Sequence, residues 1–70
     1  MNLTNAAIKR EHTILAIKTD DEELNAFLFS LGCYSGEAIT VIRQLKGGCI
    51  VAIKDGRYSI DKYLAEAIAV

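Results

Sequence analysis

Proline and tryptophan are absent from this chain of 70 residues, histidine occurs once, and no apolar run approaches the length of a membrane span. A spanning helix needs roughly 20 consecutive apolar residues, so we expect no insertion into a membrane. The start of the chain, MNLTNAAIKREH, has no apolar stretch of signal-peptide length, which favours a cytoplasmic protein. The length fits one domain, residues 1–70, and the 51% of hydrophobic residues is typical of globular proteins.

An excess of positive charge is also absent, because the net charge is −1. Proteins that bind nucleic acid gain most of their affinity from clustered lysines and arginines that face phosphates. Lys9 and Arg10 alone do not form such a cluster. We therefore expect no nucleic-acid partner.

Cysteine and histidine are too few for a structural metal site. A tetrahedral zinc site takes four Cys or His ligands, and the chain offers only Cys33, Cys49 and His12. The two cysteines could pair in principle, but a reducing compartment favours free thiols, and we expect both to be buried or half-buried structural residues. We expect no metal site and no cofactor.

Groups that would support catalysis are missing as well. No serine or cysteine has a candidate base nearby in the pattern, and KGG at residues 46–48 lacks the Gly-x-x-x-x-Gly-Lys-Ser/Thr frame that cradles phosphate. The acidic run Asp20–Glu23 offers hard oxygen ligands for iron, but consecutive residues on a helix point to different sides. Helix capping and solvation explain this run better. The sequence therefore predicts a protein that is not an enzyme.

One helical pattern follows a strand pattern near the start of the chain. HTILAIKT, residues 12–19, is rich in β-branched residues and predicts a strand. Thr19 or Asp20 is the predicted helix cap, and Asp20 with Glu23 matches a capping box. The helix is predicted to end at Leu31. Four apolar residues at spacings of three and four form a stripe that should pack on a sheet: Leu24, Phe27, Leu28 and Leu31.

Two glycines stand between this helix and the next strand pattern, in FLFSLGCYSGEAITVI. Gly32 follows the last apolar helical residue, where a left-handed conformation commonly ends a helix. Gly36 lies where a tight turn before the next strand needs a positive φ. We expect a positive φ at Gly32.

Short strand patterns and turn signals fill the remainder of the chain. AITVIRQL and CIVAIKD flank KGG, a hairpin signal, and Asp55-Gly56 predicts a type I′ turn. RYSI is the third strand of a meander, DKYLAEA is long enough for one helical turn, and AIAV is the last strand. Several short strands with one helix favour a small, highly curved barrel.

The order Leu28-x-x-Leu31-Gly32-x-x-x-Gly36, a strand, a Gly-Gly hairpin, IVAIKDGRYSI and a terminal LAEAIAV resembles the FeoA family. The resemblance covers essentially the whole chain, from Leu3 to Val70. It implies a mainly β fold, a small SH3-like barrel of about five strands with one α-helix inserted after the first strand.

The chain departs from the family where members commonly carry proline. Ser35 precedes the second glycine, Cys49 follows the hairpin, and KREH stands in place of a Pro-Gly turn before the first strand. We expect the fold to survive, since proline only pre-sets φ in such turns.

The resemblance also implies a function. FeoA proteins are small cytosolic proteins of bacterial ferrous iron transport, thought to act with FeoB, a membrane transporter that carries a cytosolic GTP-binding domain. We expect a non-enzymatic accessory protein that binds and modulates FeoB. The alternative is a stand-alone regulatory or interaction module related to the C-terminal SH3-like domain of metal-dependent transcriptional repressors. A repressor would need a helix-turn-helix segment, and the chain starts close to its first strand. A peptide-binding adaptor is disfavoured, because aromatic residues make up only 7% of the chain.

Exposed apolar residues are the expected partner site, because such patches often mark interaction surfaces. Tyr34, Leu45 and Cys49 are the candidates. Tyr34 could instead cover one end of the barrel, and Tyr58 and Tyr63 are expected in the core or at its rim with surface hydroxyls. The oligomeric state stays open, a weak homo-oligomer included. The glycines predicted to form structural turns are Gly32, Gly36, Gly47, Gly48 and Gly56.

Overall fold

The computed structural model describes all 70 residues of the chain. In chain order its elements are a 3₁₀ turn at Leu3–Asn5, β1 Glu11–Thr13, β2 Ala16–Ile17, α1 Glu22–Ser30, β3 Ala38–Leu45, β4 Gly48–Ile53, β5 Gly56–Asp61, α2 Lys62–Ala67 and β6 Ile68–Ala69. A four-stranded antiparallel sheet has the order β1-β3-β4-β5, and β2 pairs with β6 in a second sheet. The expected mainly β fold with one principal helix is confirmed, with six strands and with two sheets instead of one closed ladder.

The first predicted strand is divided between the two sheets. β1 pairs with β3 and β2 with β6, and the chain bends between them at Ile14 and Leu15. The N–H of Ile14 donates to the Glu37 carbonyl at 2.8 Å, and the Ile14 carbonyl accepts from the N–H of Gly36 at 2.8 Å. The prediction of one strand over residues 12–19 is therefore wrong, because Ile14 bonds to the turn before β3 and enters the core. As a consequence, α1 follows the second strand and not the first.

The cap of α1 is Asp21, one residue beyond the predicted position. Its carboxylate accepts hydrogen bonds from the N–H groups of Glu23 and Leu24. The Thr19 hydroxyl oxygen accepts from the N–H of Asp21 and so supports the cap from outside the helix. The predicted cap at Thr19 or Asp20 is wrong, because only Asp21 lies two and three residues before these free N–H groups.

The apolar stripe of α1 is narrower than its spacing predicts. Leu24 and Leu28 are buried and Leu31 is half-buried, whereas the Phe27 side chain is 50% exposed. The spacing places Phe27 at the margin of the stripe, and its ring stays partly in solvent. The helix therefore packs through its leucines and presents its phenylalanines to solvent.

Strands β3, β4 and β5 form the predicted meander. Lys46 and Gly47 connect β3 to β4, and Lys54 and Asp55 connect β4 to β5. The type I′ turn predicted at Asp55-Gly56 is wrong: the two turn residues are Lys54 and Asp55, and of these only Lys54 has a positive φ, 52°. Gly48 and Gly56 are the first residues of β4 and β5.

The two ends of the chain meet on one side of the structure. Asp61 caps α2 by accepting a hydrogen bond from the Leu64 N–H at 2.8 Å, and this helix spans six residues where one turn was expected. The N–H of Val70 donates to the Met1 carbonyl at 3.0 Å, beside the pairing of β6 with β2.

A core of 15 apolar residues contains no buried polar side chain. Neither α1 nor α2 has the length and apolar character of a membrane-spanning helix.

Candidate functional site

The end of α1 and the following turn shape the surface that we consider the candidate site. Gly32 has a φ of 93°, and its N–H donates to the Phe29 carbonyl while the Cys33 N–H donates to the Leu28 carbonyl. These two bonds form a Schellman motif, which ends the helix and reverses the chain. Gly36 also has a φ of 93°, and the chain then enters β3. The segment between the two glycines projects Tyr34 from the end of the helix.

An open groove lies between this segment and the β4–β5 turn. We call it the aromatic groove; it is lined by residues 29–32, 34, 53–56 and 58. The rings of Phe29 and Tyr34 stack with their centroids 4.9 Å apart and their planes at 32°. Phe29 is 63% exposed, and Tyr34 is half-buried. The stacked pair therefore presents an aromatic surface to solvent at one wall of the groove.

Tyr58 lies along the same groove because Gly56 has no side chain. A β-carbon at position 56 would lie 2.7 Å from Tyr58 Cζ, closer than real β-carbons approach other atoms. Gly56 has no positive φ, so its role is this close approach and not the predicted turn conformation. Tyr58 is half-buried and packs against the core, as expected for a tyrosine at the core rim.

Lys54 spans the groove at the tip of the β4–β5 turn. Its Nζ atom lies 3.3 Å from Glu37 Oε2 and 5.5 Å from the centroid of the Tyr34 ring. Hydrogen bonds to Tyr34 and Glu37 raise the pKa of Lys54 above its ordinary value. Because the ammonium lies over the face of an aromatic ring, a cation–π contact adds to the ion pair. The lysine thus connects the β4–β5 turn to the segment that carries Tyr34.

The three predicted partner residues lie in different places. Tyr34 lines the aromatic groove, whereas Leu45, 40% exposed, lines a separate depression next to Gly48 and Leu64. Cys49 is 0% exposed, because alternate side chains of β4 face the core. Its assignment as a partner-binding residue is wrong, since no partner reaches its thiol in the folded chain.

The two cysteines are free thiols, and both are buried. Burial raises the pKa of Cys33 to about 11 and also raises the pKa of Cys49. Since the thiolate is the reactive form, burial of both side chains disfavours reaction at these thiols. No group of three or more His, Cys, Asp or Glu side chains is close enough to hold a metal ion.

Sequence reasoning missed Phe29, Lys54 and the role of Tyr58. The exposure of Phe29 could have been inferred from its position directly after Leu28. Consecutive residues of a helix point to different sides, so Phe29 lies outside the buried stripe of α1. Lys54 gave no signal, because its position depends on a turn that the Asp55-Gly56 pattern placed one residue later. Tyr63 was expected at the core rim, but α2 holds it 61% exposed, which corrects that expectation.

The lining of the aromatic groove is suited to binding a partner side chain. Flat aromatic side chains beside one lysine and one aspartate, Asp55, suit an apolar or aromatic side chain of a partner with polar groups at its edge. Ser30 also lines the groove, and its hydroxyl donates a hydrogen bond to the Phe27 carbonyl.

Comparisons with known proteins agree with this description of the fold. The family model described as the FeoA domain matches residues 1–70. FeoA of Stenotrophomonas maltophilia, solved in complex with zinc and described as an SH3 domain protein, superimposes with a TM-score of 0.85 at 14% identity over 99% of this chain and 87% of that chain. A comparison with curated proteins found no match.

Two further solved structures are similar. Iron(II) transport protein A of Clostridium thermocellum has a TM-score of 0.87 at 20% identity, over 99% of this chain and 43% of that chain. A manganese-dependent transcriptional repressor has a TM-score of 0.84 at 21% identity, over 97% of this chain and 39% of that chain. These identities establish a shared fold alone. Because the family model matches the whole length, this chain belongs to the FeoA family, the small accessory proteins of ferrous iron transport, and it has their SH3-like fold.

Proposed function

We propose that this chain is a cytoplasmic, non-enzymatic accessory protein that binds the cytosolic part of a FeoB membrane transporter and modulates it. The family match over residues 1–70 carries the proposal. The exposed aromatic pair of Phe29 and Tyr34, together with two thiols that are both buried, supports an action through binding.

The aromatic groove is the contact surface in this proposal. Its exposed Phe29 ring is fixed by stacking on Tyr34, so little side-chain freedom is lost when a partner covers it. Aromatic residues are enriched at the centres of protein interfaces, and charged groups are typical of their rims. Lys54 and Asp55 form such a rim beside the rings.

Gene replacement in the source organism tests the function. Deletion of the gene should reduce uptake of radioactive ferrous iron, and the wild-type gene should restore it. The Phe29→Ala gene should fail to restore it, because the ring at the groove is lost. Phe27→Ala is the matched control, since Phe27 is an exposed phenylalanine of the same helix outside the groove. Normal uptake in the deletion strain would contradict the proposal.

The second candidate is a regulatory module related to metal-dependent repressors, and the structural similarity to the manganese-dependent repressor favours it. The same deletion strain separates the two. A regulatory module would alter the metal response of transcription while the uptake rate per transporter stays constant. An accessory protein of the transporter would alter that rate at constant transporter abundance.

A further inference from the structure

Strand β5 forms an open edge of the four-stranded sheet. It is last in the order β1-β3-β4-β5, and it pairs only with β4. Open edges of this kind present a row of unpaired backbone donors and acceptors, which natural proteins usually protect with proline, bulges, charged side chains or a covering helix or loop. The chain has no proline, and the β4–β5 register runs without a bulge.

The pairing register shows which backbone groups point outward. Ile53 pairs with Gly56 across a two-residue turn, so their N–H and C=O groups bond to each other. Hydrogen-bonded pairs alternate with non-bonded pairs along the ladder, which assigns Arg57 and Ser59 to non-bonded positions. The N–H and C=O groups of Arg57 and Ser59 therefore point away from β4. No other backbone or side-chain group bonds to them.

The side chains along this edge are exposed and alternate with inward ones. Arg57, Ser59 and Asp61 are exposed, whereas Tyr58 and Ile60 face the groove and the core. Arg57 and Asp61 stand four residues apart on the same outer face with opposite charges. The edge is thus polar, and its charges stand in a self-complementary order.

We propose that the β5 edge binds a second copy of this chain, by antiparallel β5–β5 pairing about a twofold axis at Ser59. In this arrangement Ser59 forms a hydrogen-bonded pair with Ser59 of the second copy. Arg57 then lies directly opposite Asp61 of the second copy, and the same pair occurs again across the axis. Two opposite-charge cross-strand pairs flank the axis, and such pairs stabilise antiparallel strands.

Other registers are less favourable for reasons of charge or length. An axis at Arg57 places two arginines opposite each other, and an axis at Tyr58 places Asp55 opposite Asp61 of the second copy. An axis at Ile60 leaves only residues 59–61 paired, because α2 begins at Lys62. Only the Ser59 register combines five paired strand residues with opposite charges at both ends.

Asp61 also caps α2, and this role is compatible with the pairing. One carboxylate oxygen, Oδ1, accepts from the Leu64 N–H at 2.8 Å. The other oxygen is free to accept from an arginine. The proposed contact is small, so association should be weak and should depend on protein concentration and on salt.

Disulfide trapping tests the register in the full chain. α-Carbons of a hydrogen-bonded antiparallel pair lie about 5.5 Å apart, which fits a disulfide. Ser59→Cys should therefore form a dimer under mild oxidation at least about tenfold faster than Arg57→Cys. In the proposed register, the cysteines of the Arg57→Cys control are more than about 10 Å apart along the strands. The native Cys33 and Cys49 are buried and should not contribute.

Equal trapping of the two variants, or faster trapping of Arg57→Cys, would overturn the register.

Sedimentation equilibrium tests the association itself. The wild-type chain should dimerise in the millimolar range at low salt, and Arg57→Asp should weaken dimerisation at least about tenfold, because it places like charges opposite each other. A wild-type chain that stays monomeric at millimolar concentration would overturn the proposal. Neither result bears on transporter binding, because this inference does not rest on the proposed function.

Discussion

The Lys54 side chain crosses directly over Gly32, at the point where α1 ends. A β-carbon at position 32 would lie 2.9 Å from Lys54 Cε and 3.1 Å from Lys54 Cδ. The glycine therefore serves two purposes, because it adopts a φ of 93° and leaves room for the lysine that reaches Tyr34 and Glu37.

Gly32→Ala should destabilise the fold by about 1–2 kcal/mol, because a side chain in the left-handed conformation is strained and also displaces Lys54. For a domain of this size each kcal/mol lowers the melting temperature by about 4–8 °C. Gly36→Ala is the matched control, since Gly36 has the same φ of 93° but a β-carbon added there would have no atom within 4 Å. Thermal melts should show a larger loss for Gly32→Ala, and an unchanged melting temperature would contradict the account.

Asp21→Ala should cost about 1 kcal/mol of unfolding free energy, because the N–H groups of Glu23 and Leu24 lose their acceptor. Asp20→Ala removes the same charge one residue earlier and should cost much less. Urea denaturation of both variants measures the difference. Equal losses would show that charge near the helix terminus, and not the cap, accounts for the stabilisation.

Stability should fall at alkaline pH because of the buried thiols. Burial raises the pKa of Cys33 to about 11, so in the unfolded chain this thiol ionises at lower pH than in the folded chain. The stabilising effect is complete below about pH 9 and is lost as the pH rises toward 11, with a limit of about 3 kcal/mol at 1.4 kcal/mol per pKa unit. Cys33→Ala should flatten this part of the pH profile in urea melts. If stability fell with pH equally steeply in Cys33→Ala and in the wild type, the pH dependence could not be assigned to the Cys33 thiol.

The sequence predicted the elements whose signals are local. The apolar spacing of Leu24 and Leu28 and the glycine at position 32 located α1 and its end, and turn residues located the meander. The break between β1 and β2 was missed, because it depends on hydrogen bonds from Ile14 to Gly36 and Glu37, far along the chain. Local alternation carries no information about which sheet a residue joins.

The candidate site was predictable only in part, for a similar reason. Tyr34 was identified from its place between two glycines. Phe29 and Tyr58 reach the same groove from α1 and β5, and their approach depends on the packing of these elements. Cys49 was misplaced because residues after a hairpin alternate between surface and core, and one step of register decides which applies.

Tyr34→Ala should weaken transporter binding by about 2 kcal/mol, a typical loss for an aromatic residue at a contact centre. It also removes the stacking partner of Phe29 and the ring beneath Lys54, so a small loss of stability is expected. Tyr34→Phe keeps the ring and should bind nearly as the wild type does. Reduced stability with unaltered affinity of the folded fraction would remove Tyr34 from the site.

Titration of the purified cytosolic part of the organism's own FeoB with this protein measures directly whether the two proteins bind. Isothermal calorimetry should detect saturable binding of the wild type, loss of affinity by about 30-fold for Phe29→Ala, and nearly unchanged affinity for the control Phe27→Ala. No detectable binding of a folded wild-type protein, or equal affinity for Phe29→Ala and Phe27→Ala, would contradict binding through the aromatic groove.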